Sequence, residues 1–536
     1  IELPAVVEQG GLTAAQLGSL NQVNNDRPAT NLTGRIDWRL SGSSRLVARY
    51  NYNSAENDVF SRSTTGTIDL SSNGYFFKNQ NHNPAVQLYT NFANGSSNEF
   101  LLSYNRIRDR RTPNVFLPTI TVQNFTPASG TGTYSLRFGA EQFSQGNELD
   151  QDIWELTNNF SFSTGAHRIT IGTRNELYKV RNAFLQSSYG VWQFDNVTDF
   201  QNGVAEAYTV SAPLKPNSLP VRFTSGQLGL YAQDSWSPNP YLTLNMGLRA
   251  DVPFWADQPE YAPEVIQDFG PQSIPDFQVL LSPRFGFNWD ATRDGVNQVR
   301  GGVGIFTGTP AYVWLSNFFQ QSGQGLGILS CGQGSANPVP QVPQRFDAAN
   351  PVLACGNGAT IGPGASLGEV NLIEPGTKFP QVLRANLAWD RRLSDSWVAS
   401  IEGTFTKGVN DIVTVQRNLA APIAQTGQGG RVLYGTLNAN GTTTPNYVNL
   451  TRYGPSFSSG VLELRNASSS LAWSMTGQLR RRFRDGLEGS IAYTYSEAYD
   501  AQSFTSSRGT SNWRFGRVNS GRDDVFERTR SSFDRP

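Results

Sequence analysis

The chain has 536 residues, of which 38% are hydrophobic, 12% aromatic and 16% charged, and its 43 basic residues balance 43 acidic ones. This length exceeds what one soluble core normally holds, and a mean hydropathy of −0.40 without an apolar stretch of about 18 residues argues against a helical membrane protein. Zero net charge removes the electrostatic footprint of a nucleic-acid-binding protein, and two histidines leave little material for a histidine-rich metal site or a Ser-His-Asp centre.

The same composition favours strands and turns over helices. Abundant aromatic residues accompany 52 glycines, a combination that suits pleated strands joined by tight turns. An all-β fold is therefore predicted.

The first predicted element is a β-hairpin near residues 32–52. Leu32, Ile36 and Trp38 share one parity of the sequence, and charged residues occupy the other parity between them. After a Ser-Gly-Ser-Ser turn the alternation resumes. The segment is therefore predicted as two antiparallel strands with one apolar and one charged face.

Six further hairpins follow, each with apolar alternation on both sides of a short turn rich in Gly, Asp, Asn, Ser, Thr or Pro. They lie at residues 86–104, 154–171, 228–248, 285–305, 383–405 and 473–495. With the first hairpin, this gives seven hairpins of two strands and predicts fourteen strands.

The connections between hairpins are long, whereas the turns within them are short. The long connections are residues 53–84, 108–151, 179–222, 252–278, 308–379 and 408–470. Such loops are uncommon in compact soluble domains, but short periplasmic turns on one rim and long extracellular loops on the other are typical of outer-membrane barrels. The sequence predicts an antiparallel transmembrane β-barrel meander of about fourteen strands, with a soluble meander carrying long insertions as the alternative.

The charged residues within the predicted strands fall on the parity opposite to the apolar set. A barrel in lipid turns its apolar parity outward, so these residues are predicted to line the lumen, where they are candidates for ligand or plug contact. They are Arg35, Asp37, Arg39, Arg49, Glu155, Arg174, Arg249, Asp251, Arg284, Arg300, Arg384, Glu402 and Glu488.

Aromatic residues near the predicted strand ends suit an interfacial girdle. They are Trp38, Tyr52, Trp154, Trp236, Tyr241, Trp289, Trp389, Trp397 and Tyr495.

The assignment of the two faces predicts the effect of substitutions on stability. If the parity is assigned correctly, arginine at an apolar position such as Leu387 costs about 2 to 4 kcal/mol in a bilayer, whereas Arg249→Leu costs little stability.

Cys331 and Cys355 are the two cysteines, and both lie in one stretch rich in Gly and Pro. In an oxidising compartment this placement predicts a disulfide that closes a loop, with Cα atoms within about 7 Å. Two free thiols are the alternative.

An ordered series of segments resembles TonB-dependent outer-membrane receptors, most of all their Oar-like branch. The segment at 227–251, QLGLYAQDSWSPNPYLTLNMGLRAD, resembles a hairpin found throughout these receptors. TNLTGRIDWRL at 30–40, LSPRFGFNWD at 281–290, VRGGVGIF at 299–306 and QLRRRFRDGLEGSIAYTYSEAYD at 478–500 resemble further landmarks in the family's order. The resemblance covers residues 12–536.

The resemblance implies an N-terminal plug, a barrel of about 22 strands and TonB-driven uptake of a scarce ligand such as a metal chelate, vitamin, sugar or peptide. No plug-like segment precedes residue 30, and the sequence ends without a terminal aromatic strand. Residues 1–536 are therefore expected to be part of a receptor barrel, short of the plug, about two strands at the front and about six at the back.

The expected partners are outer-membrane lipid, the TonB complex through the plug region, and an unidentified small ligand or peptide; no cofactor, metal or nucleic acid is expected. An adhesin or binding barrel without active transport is the main alternative. A surface hydrolase is a third, but the G-x-S-x-G pattern at 364–368 lacks a helical continuation and a histidine partner. Asp150 and Asp152 have the spacing that opens a calcium loop, but Trp154 occupies the next ligand position.

Overall fold

A computed structural model of the chain describes residues 12–19, 25–61, 63–126, 132–333, 335, 337–361, 367–419, 424–425, 432–433, 453, 457, 460–483, 486–516 and 528–534. Gly364, Ala365 and Ser366 of the G-x-S-x-G pattern lie outside these residues.

Strands dominate the described part of the chain, and the helices are short. The elements in chain order are α1 (Ala14–Leu17), β1 (Ala29–Arg39), β2 (Ser44–Phe60), β3 (Thr67–Asp69), β4 (Gly74–Asn91), β5 (Ser97–Pro113), β6 (Thr119–Phe125), β7 (Tyr134–Phe138), β8 (Asn147–Thr164), β9 (His167–Phe184), β10 (Val191–Phe194), α2 (Val197–Asn202), β11 (Ala207–Pro213), β12 (Val221–Asn239), β13 (Leu242–Trp255), α3 (Pro263–Phe269), β14 (Leu280–Asp290), β15 (Asn297–Thr307), α4 (Tyr312–Gln320), β16 (Leu326–Gly332), β17 (Val370–Ile373), β18 (Gln381–Arg392), β19 (Trp397–Gln416), β20 (Ala424–Gln425), β21 (Val432–Leu433), β22 (Val461–Ala467), β23 (Leu471–Arg482), β24 (Glu488–Asp500), α5 (Gly509–Gly516) and β25 (Thr529–Arg530). No helix in the described part of the chain is long and apolar enough to cross a membrane.

Fourteen strands of 11 to 20 residues form the wall of the described structure. They are β1, β2, β4, β5, β8, β9, β12, β13, β14, β15, β18, β19, β23 and β24, and each pairs antiparallel with the next. The predicted meander of seven hairpins is confirmed. The ladder of paired strands begins at β1 and ends at β24, and among the described strands β1 and β24 do not pair with each other.

The wall strands extend further toward the long loops than the sequence predicts. The predicted loop 53–84 contains the end of β2 and the start of β4, which stay paired from Ser44 opposite Thr90 to Phe60 opposite Gly74. Both faces of the strands are mostly polar between Asn53 and Asp58 and between Lys78 and Asn83, so the apolar alternation that marks a strand is absent there.

The loop sheet is a second, six-stranded sheet that the sequence does not predict. It is built from β3, β6, β7, β10, β11 and β16, and two of its strand pairs are parallel. Its core, which also holds Leu17 of α1, includes the buried side chains of Leu117, Ile120, Leu136, Phe138, Trp192, Phe194, Tyr208 and Leu329. The long connections therefore form a folded unit with a hydrophobic core.

Candidate ligand site on the charged face of the wall

All thirteen predicted lumen residues lie on one face of the wall, which we call the charged face. Residues paired directly across an antiparallel ladder point to the same side, and so do residues two apart along a strand. Arg35 is opposite Arg49, and Glu402 is opposite Ala388, which in turn is opposite Arg300. The same reasoning, followed through the whole ladder, places the remaining candidates on this face.

The other face, which we call the apolar face, exposes large hydrophobic side chains. Ile36 is 70% exposed, Leu230 68% and Ile491 73%. The predicted girdle residues Trp38, Trp154, Trp289 and Trp389 lie on the same face and are also exposed. A continuous exposed apolar surface of this kind is unusual in a water-soluble monomer.

Several candidates form ion pairs within a single strand. Arg35 lies 2.6 Å from Asp37, and Arg249 lies 2.6 Å from Asp251. In β9 the guanidinium of Arg174 lies 2.8 Å from Glu176, a carboxylate that the sequence analysis missed. A spacing of two residues brings both partners to the charged face, so sequence spacing alone could have indicated these pairs.

Other candidates pair across strands. Arg300 lies 3.0 Å from Glu402 and 3.0 Å from Asp390, and Arg174 lies 3.1 Å from Glu155. Near the last turn Glu488 lies 3.2 Å from Arg482. The register creates these pairs, and it could not be read from the sequence.

Arg39, Arg49, Arg284 and Arg384 differ from the other candidates because no carboxylate of the described residues lies within 4 Å of them. The guanidinium of Arg284 instead lies over the ring of Phe306, 4.4 Å from its centroid. Arg284 and Arg384 line a cavity of about 430 Å³.

A loop helix covers the charged face at its loop end. Tyr312 of α4 packs against Tyr178, Phe223 and Trp255 of β9, β12 and β13. These three residues share the parity of the charged candidates on their strands. Burial raises the pKa of the Tyr312 phenol, which keeps this ring neutral within the apolar contact.

Asp251 lies among the buried residues of this loop end and is 1% exposed. Arg249 binds its carboxylate through Nε and Nη2, and Gln227 Nε2 donates to Asp251 Oδ1 at 2.9 Å. This geometry reverses the expectation that Arg249→Leu costs little stability, because leucine would leave a buried carboxylate without its cation.

The sequence model of the family described as outer membrane beta barrel domain matches residues 3–536. The chain belongs to this family. It is a protein of the bacterial outer membrane.

Three solved structures of outer-membrane proteins are similar to this outer-membrane barrel. The outer membrane transporter YddB from Escherichia coli is 11% identical with a TM-score of 0.56, and the match covers 94% of this chain and 52% of that one. The ferric enterobactin receptor PfeA from Pseudomonas aeruginosa is 14% identical with a TM-score of 0.48, covering 90% and 53%. The siderophore receptor PirA from the same organism is 12% identical with a TM-score of 0.45, covering 88% and 57%.

This outer-membrane barrel spans about half the length of those structures. The resemblance to a receptor barrel is confirmed at the level of the fold. A search of curated proteins finds no match to the chain.

Beyond the girdle, the apolar face of the barrel carries a charge ladder that the sequence analysis missed. Asp150 and Asp152, whose spacing resembles the start of a calcium loop, bind arginines of the neighbouring strand β5. Arg110 lies 2.5 Å from Asp150, and Arg108 lies 2.8 Å from Asp152. Among the described residues there is no cluster of three or more metal-ligating side chains. The alternation of arginines in β5 and of acidic residues in β8 is the sequence signal that could have indicated this charge ladder.

Cys331 and Cys355 form a disulfide in the structure, with Cα atoms 5.7 Å apart. Cys331 belongs to β16 and is opposite Tyr208 of β11, so the bond anchors the following loop to the loop sheet. Tyr208 donates its hydroxyl to the Val352 carbonyl at 2.8 Å, and burial raises the pKa of this phenol.

Removing the disulfide is expected to loosen the loop and leave the wall intact. In a Cys331→Ser/Cys355→Ser variant, residues 337–354 should be cleaved faster by protease, because the bond restricts opening of this segment. Limited proteolysis read by mass spectrometry measures the effect against oxidised wild-type protein, and reduced wild-type protein should be cleaved like the variant. Two reactive thiols in native protein without reductant would contradict the bond.

Proposed function

We propose that the protein is an outer-membrane transport receptor that binds a scarce ligand through its extracellular loops and lumen and imports it with TonB-coupled energy. Residues 1–536 are then part of the barrel of a longer receptor. The charged face lines the lumen, and the apolar face contacts outer-membrane lipid. The observation that carries the proposal is that α4 covers the charged face while the apolar face stays exposed.

This orientation agrees with the cost of burying charge in lipid. An unpaired arginine in hydrocarbon is expensive, whereas a water-filled lumen keeps it hydrated. A loop segment such as α4 that folds onto the wall lies inside a barrel, because the outside is occupied by lipid. The covered face is therefore the inner one.

The lengths of the strands also fit a bilayer. Thr164, at the turn end of β8, lies ten positions after Trp154 along the strand. At about 3.3 Å per residue and a tilt of about 40° this stretch spans about 25 Å, the height of the apolar band of such barrels. On the other side of Trp154 the charge ladder with Asp150 and Asp152 begins, so the long loops start beyond the apolar band, and the long loops of such barrels are extracellular.

Transport is supported by the fold shared with a solved outer-membrane transporter. The loop sheet supplies a folded surface for first contact with a ligand, and the charged face offers polar groups along the lumen. The loop sheet would also suit an adhesin or a binding barrel without active transport, so an experiment must separate these two functions.

The test follows uptake in cells that produce the whole receptor, in matched strains with and without TonB. Labelled ferric enterobactin, a labelled oligopeptide and a labelled maltooligosaccharide serve as probes. Accumulation of one probe that requires both the receptor and TonB is expected. Surface binding without accumulation in either strain would contradict import and support a binding barrel.

A further inference from the structure

Arg284 and Arg384 share with Arg39 and Arg49 the absence of a nearby carboxylate among the described residues, and Arg284 and Arg384 also line one cavity together. Arg174, Arg249 and Arg300 each lie within 3.1 Å of a carboxylate. For Arg284 and Arg384 no carboxylate of the described residues lies within 4 Å. Two guanidinium groups without a carboxylate within 4 Å concentrate positive charge on one surface.

The register places these two arginines on either side of a glycine. Arg284 in β14 is opposite Gly304 in β15, and Gly304 is opposite Arg384 in β18. Two strand spacings separate the arginine Cα atoms by about 10 Å. A Cβ on Gly304 would lie 3.0 Å from Arg284 Cγ, so the glycine keeps the space between the arginines free of a side chain.

Both arginines line a cavity of about 430 Å³ at this point. Asn386 and Thr406 add an amide and a hydroxyl to its lining, and none of the described residues that line it is acidic. Phe306 forms an apolar wall and lies under the Arg284 guanidinium, which restricts the orientation of that group. Guanidinium groups bind planar or tetrahedral oxyanions through paired hydrogen bonds.

We infer that Arg284 and Arg384 form a subsite for an oxyanion group of the transported ligand, a carboxylate or a phosphate. The inference rests on the proposed function, since it names the chemical class of the ligand that passes along the charged face. The anion lies over Gly304, held from both sides by the two guanidinium groups, with Asn386 as a further donor.

Equilibrium dialysis of the folded full chain tests this inference with two probes, inorganic phosphate and citrate, at low ionic strength. Arg284→Gln and Arg384→Gln should each weaken binding about tenfold, because each removes a charge-assisted hydrogen bond. Arg284→Lys should retain part of the affinity. High salt should weaken binding in the wild type.

Arg168→Gln is the matched control. Arg168 lies on the charged face at the turn end of β9, it is exposed, and none of the described residues forms an ion pair with it. Its replacement removes the same charge far from the cavity, so binding should change less than about twofold.

The probe that binds identifies the oxyanion group of the ligand. Phosphate alone indicates a phosphate-bearing ligand, citrate alone a carboxylate-bearing one, and both a site for oxyanions in general. Binding of neither probe, or binding that survives the double variant, would overturn the inference. If the variants fail to fold, wild-type protein is treated with phenylglyoxal, which modifies arginine, with and without each probe. Protection of Arg284 and Arg384 by a probe would support the subsite, and lack of protection would overturn the inference.

Dialysis requires neither TonB nor import. Anion binding without TonB-dependent uptake would refute the proposed function alone, and uptake without anion binding would refute the subsite alone.

Discussion

Replacing Arg249 by leucine is expected to destabilise the barrel by about 3 to 5 kcal/mol. The Asp251 carboxylate is buried under the loop end of the wall, and Arg249 supplies the cation that compensates its charge. Leucine would leave Gln227 as the remaining side-chain donor to a desolvated anion. Urea unfolding of the barrel in lipid vesicles measures the change in the free energy of unfolding.

The exposed pair Arg35 and Asp37 provides the matched control. It has the same two-residue spacing, but its side chains are 56% and 39% exposed, so Arg35→Leu should change the free energy of unfolding by less than about 1 kcal/mol. Adding Asp251→Leu to Arg249→Leu should recover most of the lost stability, because the buried anion is removed as well. Equal effects of Arg249→Leu and Arg35→Leu would show that Asp251 is hydrated.

The faces of the wall could be predicted because lipid and water impose opposite demands on alternate residues. Ile36 and Arg35 are neighbours in sequence and lie on opposite faces, which is what a period of two requires. Lipid no longer imposes this alternation where the strands extend beyond the apolar band. In the outer part of β2, between Ser54 and Asp58, both parities are mostly polar, so the strand continues without a readable pattern.

The loop sheet could not be predicted, for a different reason. Its strands are short and pair over long sequence distances, as when Val191 of β10 lies opposite Thr119 of β6 in a parallel pair. Such contacts depend on where the wall places the ends of each loop. Short apolar runs such as Val191–Phe194 do not distinguish a strand from other buried segments by themselves.

The candidate site divides in the same way. The pair Arg249 and Asp251 follows from spacing, whereas the pairing of Arg300 with Glu402 depends on the register of three strands. The absence of a carboxylate within 4 Å of Arg284 and Arg384 among the described residues also becomes visible only when the strands are aligned. Sequence could therefore indicate the charged face but not which charges on it remain unmatched.

Arginine at Leu230 is expected to cost about 2 to 4 kcal/mol of barrel stability in a bilayer. Leu230 lies on the apolar face of β12 and is 68% exposed, so an arginine there would lose its hydration to lipid without gaining a partner. Leu387 on β18 is 59% exposed, and Leu387→Arg should cost a similar amount of stability.

Gln233→Arg is the control for the same strand, since Gln233 lies three residues from Leu230 and on the charged face. An arginine added there remains in water, and its cost should stay below about 1 kcal/mol. Urea unfolding in vesicles compares the variants, and unfolding in detergent should narrow the difference, because a micelle deforms around a charge more easily than a bilayer does. If Gln233→Arg were the more costly change, the charged face would be the one in contact with lipid. Every inward and outward assignment would then be reversed together, because a shift of one residue exchanges the two faces of a strand.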